Sequence, residues 1–325
     1  MTALPLDVRG LRTTLFTRRG ELRAVDGLSL AVAAGETVAL VGESGCGKSL
    51  SALSIMRLLP DPPARIIGGQ VMLNNRDLVV LSEEEMLAVR GKEIGMIFQD
   101  PMSSLNPVAT VEKQIVEVLR THTDLSRRNA RARALELLEL VGMPDAARRL
   151  DEYPHRLSGG MCQRVVIAMA IACQPSVLIA DEPTTALDVT VQAQVLGLLK
   201  KLQADAGMAM VFITHDLGVV AETADRVVVM YAGRKVEEAP VDDLFETPLH
   251  PYTAGLIGAT PIPGAARVER LADIPGMVPP LTDLPAGCAF APRCKRVMER
   301  CRHEAPLLTE PAPGRLVACF AAEKG

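Results

Sequence analysis

The residues best suited to chemistry in this chain lie in one short segment, Gly42-Glu43-Ser44-Gly45-Cys46-Gly47-Lys48-Ser49. The segment matches G-x-x-x-x-G-K-[ST], the pattern of a phosphate-binding loop. Its glycines let backbone N–H groups converge on phosphate oxygens, and the N-terminus of a following helix adds positive potential. Lys48 is placed to pair with β and γ phosphates, and Ser49 to offer its hydroxyl to Mg²⁺. The residues expected to contact a nucleotide here are Gly42, Ser44, Gly45, Cys46, Gly47, Lys48, Ser49 and Leu50.

The elements on either side of this loop fit the motif. The apolar run 37–41 predicts a short buried strand, and residues 50–59 predict a helix that Pro60 ends. A glycine-rich turn between strand and helix could also bind nothing. The complete motif between a strand and a helix favours the phosphate site.

Two adjacent carboxylates follow a second apolar run. Residues 177–180 predict a buried strand, and Asp181 and Glu182 come directly after it. Asp181 is placed to hold the Mg²⁺ shell, and Glu182 to polarise an attacking water. Acidic residues at a strand end are more commonly solvated loop residues. Downstream of a phosphate loop, the functional interpretation is favoured.

Further polar residues mark other loops. Leu157-Ser158-Gly159-Gly160-Met161 precedes a helix predicted over 162–173, with Ser158 of N-cap type and glycines that free backbone N–H groups. Alone, an ordinary capped loop is the commoner explanation of such a segment. Gln99 follows a predicted strand at 94–98, and His215 follows another at 208–214. A lone histidine after a strand is more often structural than catalytic.

Composition narrows the function classes. The net charge of −4 gives no electrostatic case for nucleic acid as the main partner, and 3% aromatic residues with no Trp leave few platforms for stacking bases. No apolar run reaches the roughly 18 residues typical of a membrane span, and residues 1–20 lack the apolar centre of a signal peptide. We therefore expect a cytosolic protein whose membrane role, if any, depends on a partner.

The periodicity of the chain predicts an α/β protein. Residues 5–34 alternate as antiparallel strands, and 66–80 predict a hairpin. Ser82 and Glu85 predict a capping box at a helix start. Helical periodicity runs over 110–142, and strand–helix alternation after residue 160 predicts a mostly parallel sheet. From Pro240 clustered prolines predict a loop-rich appended segment that does not continue the sheet.

Taken in order, the motifs resemble one family. The phosphate loop, Gln99, Leu157-Ser158-Gly159-Gly160, Asp181-Glu182, Asp188 and His215 are similar to those of the nucleotide-binding subunit of an ABC transporter, over roughly residues 5–240. The resemblance implies a P-loop NTPase (RecA-like) core with an antiparallel β subdomain and a helical ABC signalling subdomain. We place the nucleotide-binding domain at 1–239, its helical subdomain at about 100–172, and a C-terminal extension at 240–325.

The same resemblance implies roles for single residues. Cassettes would pair head to tail, so that Ser158, Gly159 and Gly160 of one chain face the γ-phosphate at Lys48 of the other. Gln99 would sense Mg²⁺ and the membrane partner, His215 would contact the γ-phosphate, and Asp188 would bridge the cassettes. Phe16 would stack on adenine, where Tyr is usual. Met161 stands where Gln is usual, but backbone donors should matter more at that position.

A cysteine group marks the C-terminal extension, which we call the tail. Four of the seven cysteines, Cys288, Cys294, Cys301 and Cys319, have the spacing C-x5-C-x6-C-x17-C. A disulfide is disfavoured in a cytosolic chain, and the usual C-x2-4-C zinc knuckle is missing. Four thiolates suit an iron–sulfur cluster, with zinc or free thiols as alternatives. The other cysteines, Cys46, Cys162 and Cys173, are interpreted as packing residues.

With His250-Pro251-Tyr252-Thr253 before these cysteines, the tail resembles that of peptide and nickel importer ATPases. Members with this cysteine pattern are associated with a 4Fe-4S cluster. Because the tail lies outside the motifs that touch ATP, we expect it to have a structural or docking role.

The resemblance implies an ATP-hydrolysing subunit that powers an importer of dipeptides or oligopeptides. Its implied partners are a second cassette, identical or similar, two transmembrane permeases and an external solute-binding protein, with no nucleic acid. It would sit as a peripheral subunit on the cytoplasmic face of the inner membrane. The alternatives are an importer ATPase for nickel or another small solute, and a soluble ABC ATPase acting on ribosomes or DNA. Soluble ABC ATPases usually carry two cassettes or a long coiled coil, and this chain has neither.

Overall fold

A computed structural model describes residues 4–18, 20–185, 187–260 and 274–322 of the chain. Its strands are β1 Leu6–Thr17, β2 Gly20–Val32, β3 Thr37–Val41, β4 Ala64–Leu73, β5 Arg76–Asp77, β6 Ile94–Ile97, β7 Val177–Asp181, β8 Ala209–Ile213, β9 Arg226–Tyr231, β10 Arg234–Pro240, β11 Thr309–Ala312 and β12 Arg315–Val317. Its helices are α1 Lys48–Ile55, α2 Glu83–Val89, α3 Pro101–Ser104, α4 Val111–His122, α5 Arg127–Leu140, α6 Ala146–Arg149, α7 Gly159–Ile171, α8 Val189–Ala206, α9 Leu217–Thr223, α10 Val241–Glu246, α11 Pro251–Gly258 and α12 Glu299–His303.

These elements form two compact units. The first contains the chain up to Val32, Thr37–Val79 and the chain from Phe212 onward. The second contains Ala33–Glu36 and Val80–Val211. No described helix combines the length and apolar character needed to cross a membrane.

The first unit holds the predicted antiparallel sheet, in the strand order β2-β1-β4-β5. Leu6 of β1 lies opposite Val32 of β2 on one side and Leu73 of β4 on the other. All three side chains are fully buried, so the alternation of apolar and polar residues gives this sheet one packed face. The antiparallel strands expected over 5–34 are confirmed.

A second set of strands in this unit carries the phosphate loop. β3 and β9 pair in parallel, with Leu40 opposite Val228, and β10 runs antiparallel to β9. β12 then pairs with β10, Glu237 opposite Val317, and β11 pairs with β12. The expectation that the tail does not continue the sheet is therefore wrong. Strands of three and four residues among prolines are too short to produce a recognisable period.

Helix α1 follows the phosphate loop and is shorter than predicted. Arg57 adopts a left-handed conformation with φ of 51°, and its N–H bonds to the carbonyl of Ser54. The N–H of Leu58 bonds to the carbonyl of Leu53 at 2.8 Å. These two bonds form a Schellman ending, which satisfies the last helical carbonyls. The helix thus ends at Ile55, because Arg57 occupies a conformation that usually favours glycine.

The second unit contains β6 and β7, which pair in parallel with Ile94 opposite Val177, and the first three residues of β8, Ala209–Val211. The Ser82 capping box is confirmed, since Ser82 and Glu85 exchange side-chain and backbone hydrogen bonds at the start of α2. The helical stretch predicted over 110–142 is two helices. Ser126 accepts a hydrogen bond from the N–H of Asn129 and so begins α5 as a separate helix.

An aromatic group lies at the centre of the first unit and packs β9 against the tail. The ring centroid of Tyr231 is 4.7 Å from that of Tyr252 and 5.3 Å from that of Phe290, both in edge-on arrangements. Buried beside them, His250 accepts the N–H of Tyr252 on Nδ1 at 3.0 Å. Burial lowers the pKa of His250 from its ordinary value of 6.5 to about 4, because the charged imidazolium would lose its hydration.

This burial predicts a stability that depends on pH. Above about pH 6.5 His250 is neutral in both states, and its contribution is fully present. As the pH falls toward 4, the unfolded chain takes up the proton first, so stability is lost. The free energy of unfolding should fall by about 3 kcal/mol more in the natural chain than in His250→Gln over this range, as urea titrations at several pH values would measure.

Comparing the natural chain with His250→Gln separates the effect of His250 from that of Glu237, whose pKa shift changes stability with pH in the opposite direction. Burial raises the pKa of Glu237, whose carboxylate accepts the backbone N–H of His250 at 2.9 Å, so this group takes up its proton at a higher pH in the folded chain than in the unfolded chain. The exposed His303 serves as control, and His303→Gln should leave the pH profile unchanged. Parallel pH profiles for the natural chain and His250→Gln would contradict the prediction.

Candidate nucleotide site and cysteine cluster

The phosphate loop, Gly42–Ser49, joins the carboxyl end of β3 to the first turn of α1. All five residues of β3 are buried, which fixes where the loop begins. Gly47 is the N-cap of α1, with φ of 106°. Because glycine has no side chain to cap the helix, the N–H groups of the first turn are directed at a ligand without competition from this residue. This geometry suits an anion.

Two glycines of the loop are required by close backbone approach. A Cβ on Gly42 would lie 2.3 Å from the carbonyl oxygen of Met230 on β9. A Cβ on Gly47 would lie 2.4 Å from the carbonyl oxygen of Ala24 on β2. No side chain fits at either position without moving the main chain. The motif glycines thus allow the loop to fold tightly against two strands.

Lys48 folds back over the loop that precedes it. Its Nζ donates to the carbonyl oxygens of Gly42 at 2.7 Å and Glu43 at 3.2 Å, and the residue is only 5% exposed. Burial raises the pKa of the neighbouring Cys46 thiol, so this thiol stays protonated at neutral pH. The lysine is therefore the loop's cation and Cys46 a packed apolar group.

Glu43 connects the loop to the tail. Its backbone N–H donates to the hydroxyl of Tyr252 at 2.8 Å, and its carboxylate accepts two hydrogen bonds from Arg293 at 2.6 and 2.9 Å. We expected the tail to lie outside the motifs that touch ATP, but these contacts show that it bonds to the phosphate loop. Tyr252 and Arg293 lie more than 200 positions from Glu43 in sequence, and no local pattern indicates that they meet it.

His215 and Phe16 also belong to the first unit. The N–H of Thr214 bonds to the carbonyl of Leu40 at 3.4 Å, so His215 follows directly from a contact with β3 and is exposed. Phe16 lies near the end of β1, opposite Glu21 of β2, and is 44% exposed. Both positions leave the side chains accessible to a ligand.

The second unit brings Gln99 and Glu182 together. Gln99 follows β6, Glu182 follows β7, and the Gln99 amide donates to the Glu182 carboxylate at 2.9 Å. The hydroxyl of Thr185 donates to the same oxygen at 2.9 Å, a contact that sequence reasoning missed. Asp181 ends β7 and is 5% exposed.

The backbone of Glu182 is unusual. Its φ is 46°, in the left-handed region, which costs a non-glycine residue on the order of 1–3 kcal/mol and is concentrated at functional sites. The conformation is held by the side-chain contacts of Gln99 and Thr185 to the carboxylate. A strained, doubly hydrogen-bonded carboxylate at a strand end suits a general base more than a solvated loop acid.

The Leu157–Gly160 segment forms the start of α7. Ser158 is the N-cap and accepts the N–H of Met161 at 3.4 Å, so Gly159 and Gly160 lie in the first turn. The helix therefore begins three residues before the predicted start at Cys162, because the two glycines form part of its first turn. Ser158 and Gly159 are exposed. A Cβ on Gly160 would lie 2.8 Å from Val191 of α8, so this position has little room.

Asp188 has a local structural partner. Its carboxylate accepts the N–H of Val191 at 3.0 Å and caps the N-terminus of α8, and the residue itself is exposed. An N-cap carboxylate is also favoured by the helix dipole. The cap holds Asp188 in one orientation at the start of the helix.

The four tail cysteines lie close enough to influence one another. Burial raises the pKa of Cys288, and the thiols of Cys301, Cys294 and Cys319 raise it further. Burial likewise raises the pKa values of Cys294 and Cys319, with Cys301 contributing to both. The N–H of Cys288 bonds to the carbonyl of Cys301 at 2.8 Å. All four are free thiols. Within the described ranges, no three or more His, Cys, Asp or Glu side chains are arranged to hold a single metal ion.

Comparison with protein families gives two matches. Residues 25–185 match the ABC transporter family. Residues 236–301 match the family described as the oligopeptide/dipeptide transporter, C-terminal region. The first match includes the phosphate loop and Glu182, and the second includes Tyr252 and Arg293.

Several curated proteins are similar over nearly the whole chain. A putative peptide import ATP-binding protein of Brucella melitensis is 56% identical over 313 residues, covering 93% of each chain. The oligopeptide transport ATP-binding protein AppD of Bacillus subtilis is 51% identical over 319 residues, covering 98% of this chain and 97% of AppD. The oligopeptide transport ATP-binding protein OppD of Bacillus subtilis is 54% identical over 294 residues, or 90% of this chain and 82% of OppD.

Solved structures show the same fold. A dimeric post-hydrolysis state of the ATP-binding cassette MJ0796, bound to ADP and Pi, is similar with a TM-score of 0.66 and 29% identity, covering 73% of this chain and 98% of the cassette. The protein cbiO1 of Clostridium perfringens, part of the ABC transporter complex cbiONQ, has a TM-score of 0.63 and 27% identity, covering 75% of this chain and 91% of cbiO1. The predicted P-loop NTPase fold of an ABC cassette is confirmed. This chain belongs to the ABC transporter family, as an ATP-binding subunit that also carries the C-terminal region of oligopeptide and dipeptide transporters.

Proposed function

We propose that this chain binds and hydrolyses ATP to power an ABC importer of dipeptides or oligopeptides. The observation that carries the proposal is that one chain combines the phosphate loop with a peptide-transporter tail, and that relatives named for peptide import or oligopeptide transport are 51–56% identical to it over nearly its whole length. An importer of nickel or another small solute would use the same ATPase chemistry and differ in its partners.

In this mechanism, Lys48 and the loop N–H groups neutralise and orient the β and γ phosphates of ATP. Ser49 and Asp181 would supply oxygen ligands to Mg²⁺, which when bound would neutralise charge on the phosphate oxygens. Glu182 accepts a proton from the attacking water, and its hydrogen bonds to Gln99 and Thr185 orient its carboxylate for that step. His215 contacts the γ-phosphate, and the exposed ring of Phe16 stacks on adenine.

A second cassette completes each ATP site. Ser158, Gly159 and Gly160 present the N-terminus of α7, a helix of 13 residues, to the γ-phosphate bound by a partner's phosphate loop. Asp188, held by its capping bond, bridges the two cassettes. The dimer of MJ0796 bound to ADP and Pi supports this assignment by analogy. The partner is either a second copy of this chain or a similar cassette.

The proposed organisation has three parts. Residues 1–239 form the nucleotide-binding domain, about 100–172 within it form the helical subdomain that contacts the permeases, and 240–325 form the tail. The assembly includes two transmembrane permeases and an external solute-binding protein, with this chain as a peripheral subunit on the cytoplasmic face of the membrane.

We further propose that Cys288, Cys294, Cys301 and Cys319 ligate a 4Fe-4S cluster. The donor set fits, because four free thiols lie close together, with Cys288, Cys294 and Cys319 outside helices and Cys301 in α12. A single zinc ion would need its four sulfurs within about 2.3 Å of one point, whereas a cluster of four irons holds its thiolates farther apart. When bound, the cluster would cross-link the tail.

The ATPase assignment predicts different defects for two variants. Glu182→Gln should lower ATP turnover by about 10²–10⁴-fold and leave ATP affinity unchanged, because only proton transfer is lost. Lys48→Ala should weaken ATP binding by about tenfold or more, because it removes a charge-assisted hydrogen bond to phosphate. Turnover of the assembled transporter and titration with a fluorescent ATP analogue measure the two effects. Glu139→Gln, at an exposed helical position, is the matched control. Near-normal turnover by Glu182→Gln would remove the proposed base.

The cluster assignment predicts a coloured protein. Anaerobically purified chain should be brown, with about four irons and four sulfides per chain. Cys294→Ser should bleach it, whereas Cys173→Ser, outside the tail, should not. Iron and sulfide analysis with an absorption spectrum makes the measurement. Colourless protein with one zinc per chain would support zinc, and metal-free protein would support free thiols.

A further inference from the structure

Arg293 is a buried cation in the tail with its full hydrogen-bonding capacity used. Its side chain is 4% exposed. Nε donates to the carbonyl of Pro275 at 2.9 Å, Nη1 to Glu43 and to the hydroxyl of Tyr231, and Nη2 to Glu43 and to the carbonyl of Ile274. A guanidinium has five N–H donors, and all five are satisfied here. These hydrogen bonds hold the planar guanidinium of Arg293 in one orientation.

Aromatic packing fixes the same side chain from its other sides. The guanidinium carbon of Arg293 lies 5.9 Å from the ring centroids of both Tyr231 and Phe290. These rings belong to the buried aromatic group that also contains Tyr252. The orientation of Arg293 is therefore set by the core of the first unit. A lysine at this position would keep the charge but lose the fork and most of these contacts.

The carboxylate that this guanidinium binds belongs to Glu43, a residue of the phosphate loop. Glu43 follows the first motif glycine, and three of its groups are held at once. Its N–H is bound by Tyr252, its carbonyl by Lys48, and its carboxylate by Arg293. Two of these three contacts come from the tail. The loop conformation that presents backbone N–H groups to phosphate is thus partly determined by residues far away in sequence.

The charge of Glu43 gives the contact a second effect. A carboxylate in a loop that receives a polyanion repels it, and the repulsion grows in a partly buried setting. The bidentate pair with Arg293 offsets this charge, and Glu43 is 29% exposed. Without the arginine, the carboxylate would be free to turn toward bound phosphate.

We propose that Arg293 is a positioning residue for ATP binding, which holds Glu43 and through it the phosphate loop in the receptive conformation while cancelling the Glu43 charge. This inference rests on the proposed ATP site at Lys48. The peptide-transporter tail would therefore affect ATP affinity through its contact with Glu43. The residue acts through Glu43 and does not touch the nucleotide.

The test is ATP affinity of the full-length chain, measured by titration with a fluorescent ATP analogue. Arg293→Ala should weaken binding by about tenfold, a typical size for coupling between distinct sites. In the assembled transporter the KM for ATP should rise by a similar factor, with kcat nearly unchanged. Arg293→Lys should weaken ATP binding by about threefold, less than Arg293→Ala, because it keeps the charge but loses the paired N–H donors of the guanidinium. The double variant Arg293→Ala/Glu43→Ala should bind ATP no worse than Arg293→Ala, since both changes remove one interaction.

The control is Arg226→Ala. Arg226 forms a partly buried ion pair with Glu238 in the same unit and donates to the carbonyl oxygen of Ala31. It should lower stability without changing ATP affinity. Equal loss of affinity in Arg226→Ala would overturn the proposal, as would Arg293→Ala and Arg293→Lys both binding ATP within twofold of the natural chain. If Arg293→Ala fails to fold, Arg293→Lys alone tests the proposal, and ATP binding by that variant within twofold of the natural chain would overturn it.

Lys48→Ala separates this proposal from the one it rests on. If Lys48→Ala binds ATP normally, the ATP site itself is misplaced. If Lys48→Ala loses ATP and the Arg293 variants do not, only the positioning role fails.

Discussion

The close approach of the phosphate loop to the main chain of β2 and β9 is the constraint on which this structure depends. With carbonyl oxygens of Met230 and Ala24 within 2.3 and 2.4 Å of where side chains would begin, only glycine fits at Gly42 and Gly47. The tight turn lets α1 start directly at Lys48, and the lysine then reaches back to the loop carbonyls. Anion affinity here follows from backbone geometry first and from the lysine charge second.

Glu43 connects the phosphate loop to the tail. The residue is bound by Tyr252 and Arg293, which stand in the same aromatic group as Tyr231 and Phe290. The turn that presents Arg293 continues into Cys294, one of the four clustered thiols. Cys294 is therefore the residue next to Arg293, whose side chain holds the phosphate loop through Glu43. The tail is also joined to the β3–β9 strands through β12, so its attachment is structural at two points.

Local patterns in the sequence were sufficient for the phosphate loop, the antiparallel strands and the Ser82 capping box, because each depends on neighbouring residues. They failed where a distant contact or an uncommon backbone conformation decides. Helix α1 ends early because Arg57 is left-handed, and β12 joins β10 across about 80 positions of chain. The Gln99–Glu182 and Arg293–Glu43 pairs join residues 83 and 250 positions apart, which no periodicity encodes. The cysteine group was found from spacing, but its relation to Glu43 was not.

We propose that nucleotide binding at the phosphate loop and the order of the tail are coupled through the Glu43–Arg293 pair. Hydrogen–deuterium exchange of the full-length Glu182→Gln chain, with and without Mg²⁺ and ATP, tests it most directly. We expect amide exchange to slow on ATP binding both in residues 42–50 and in residues 288–296. Slower exchange in the loop with no change in residues 288–296, or no change in either segment, would contradict it.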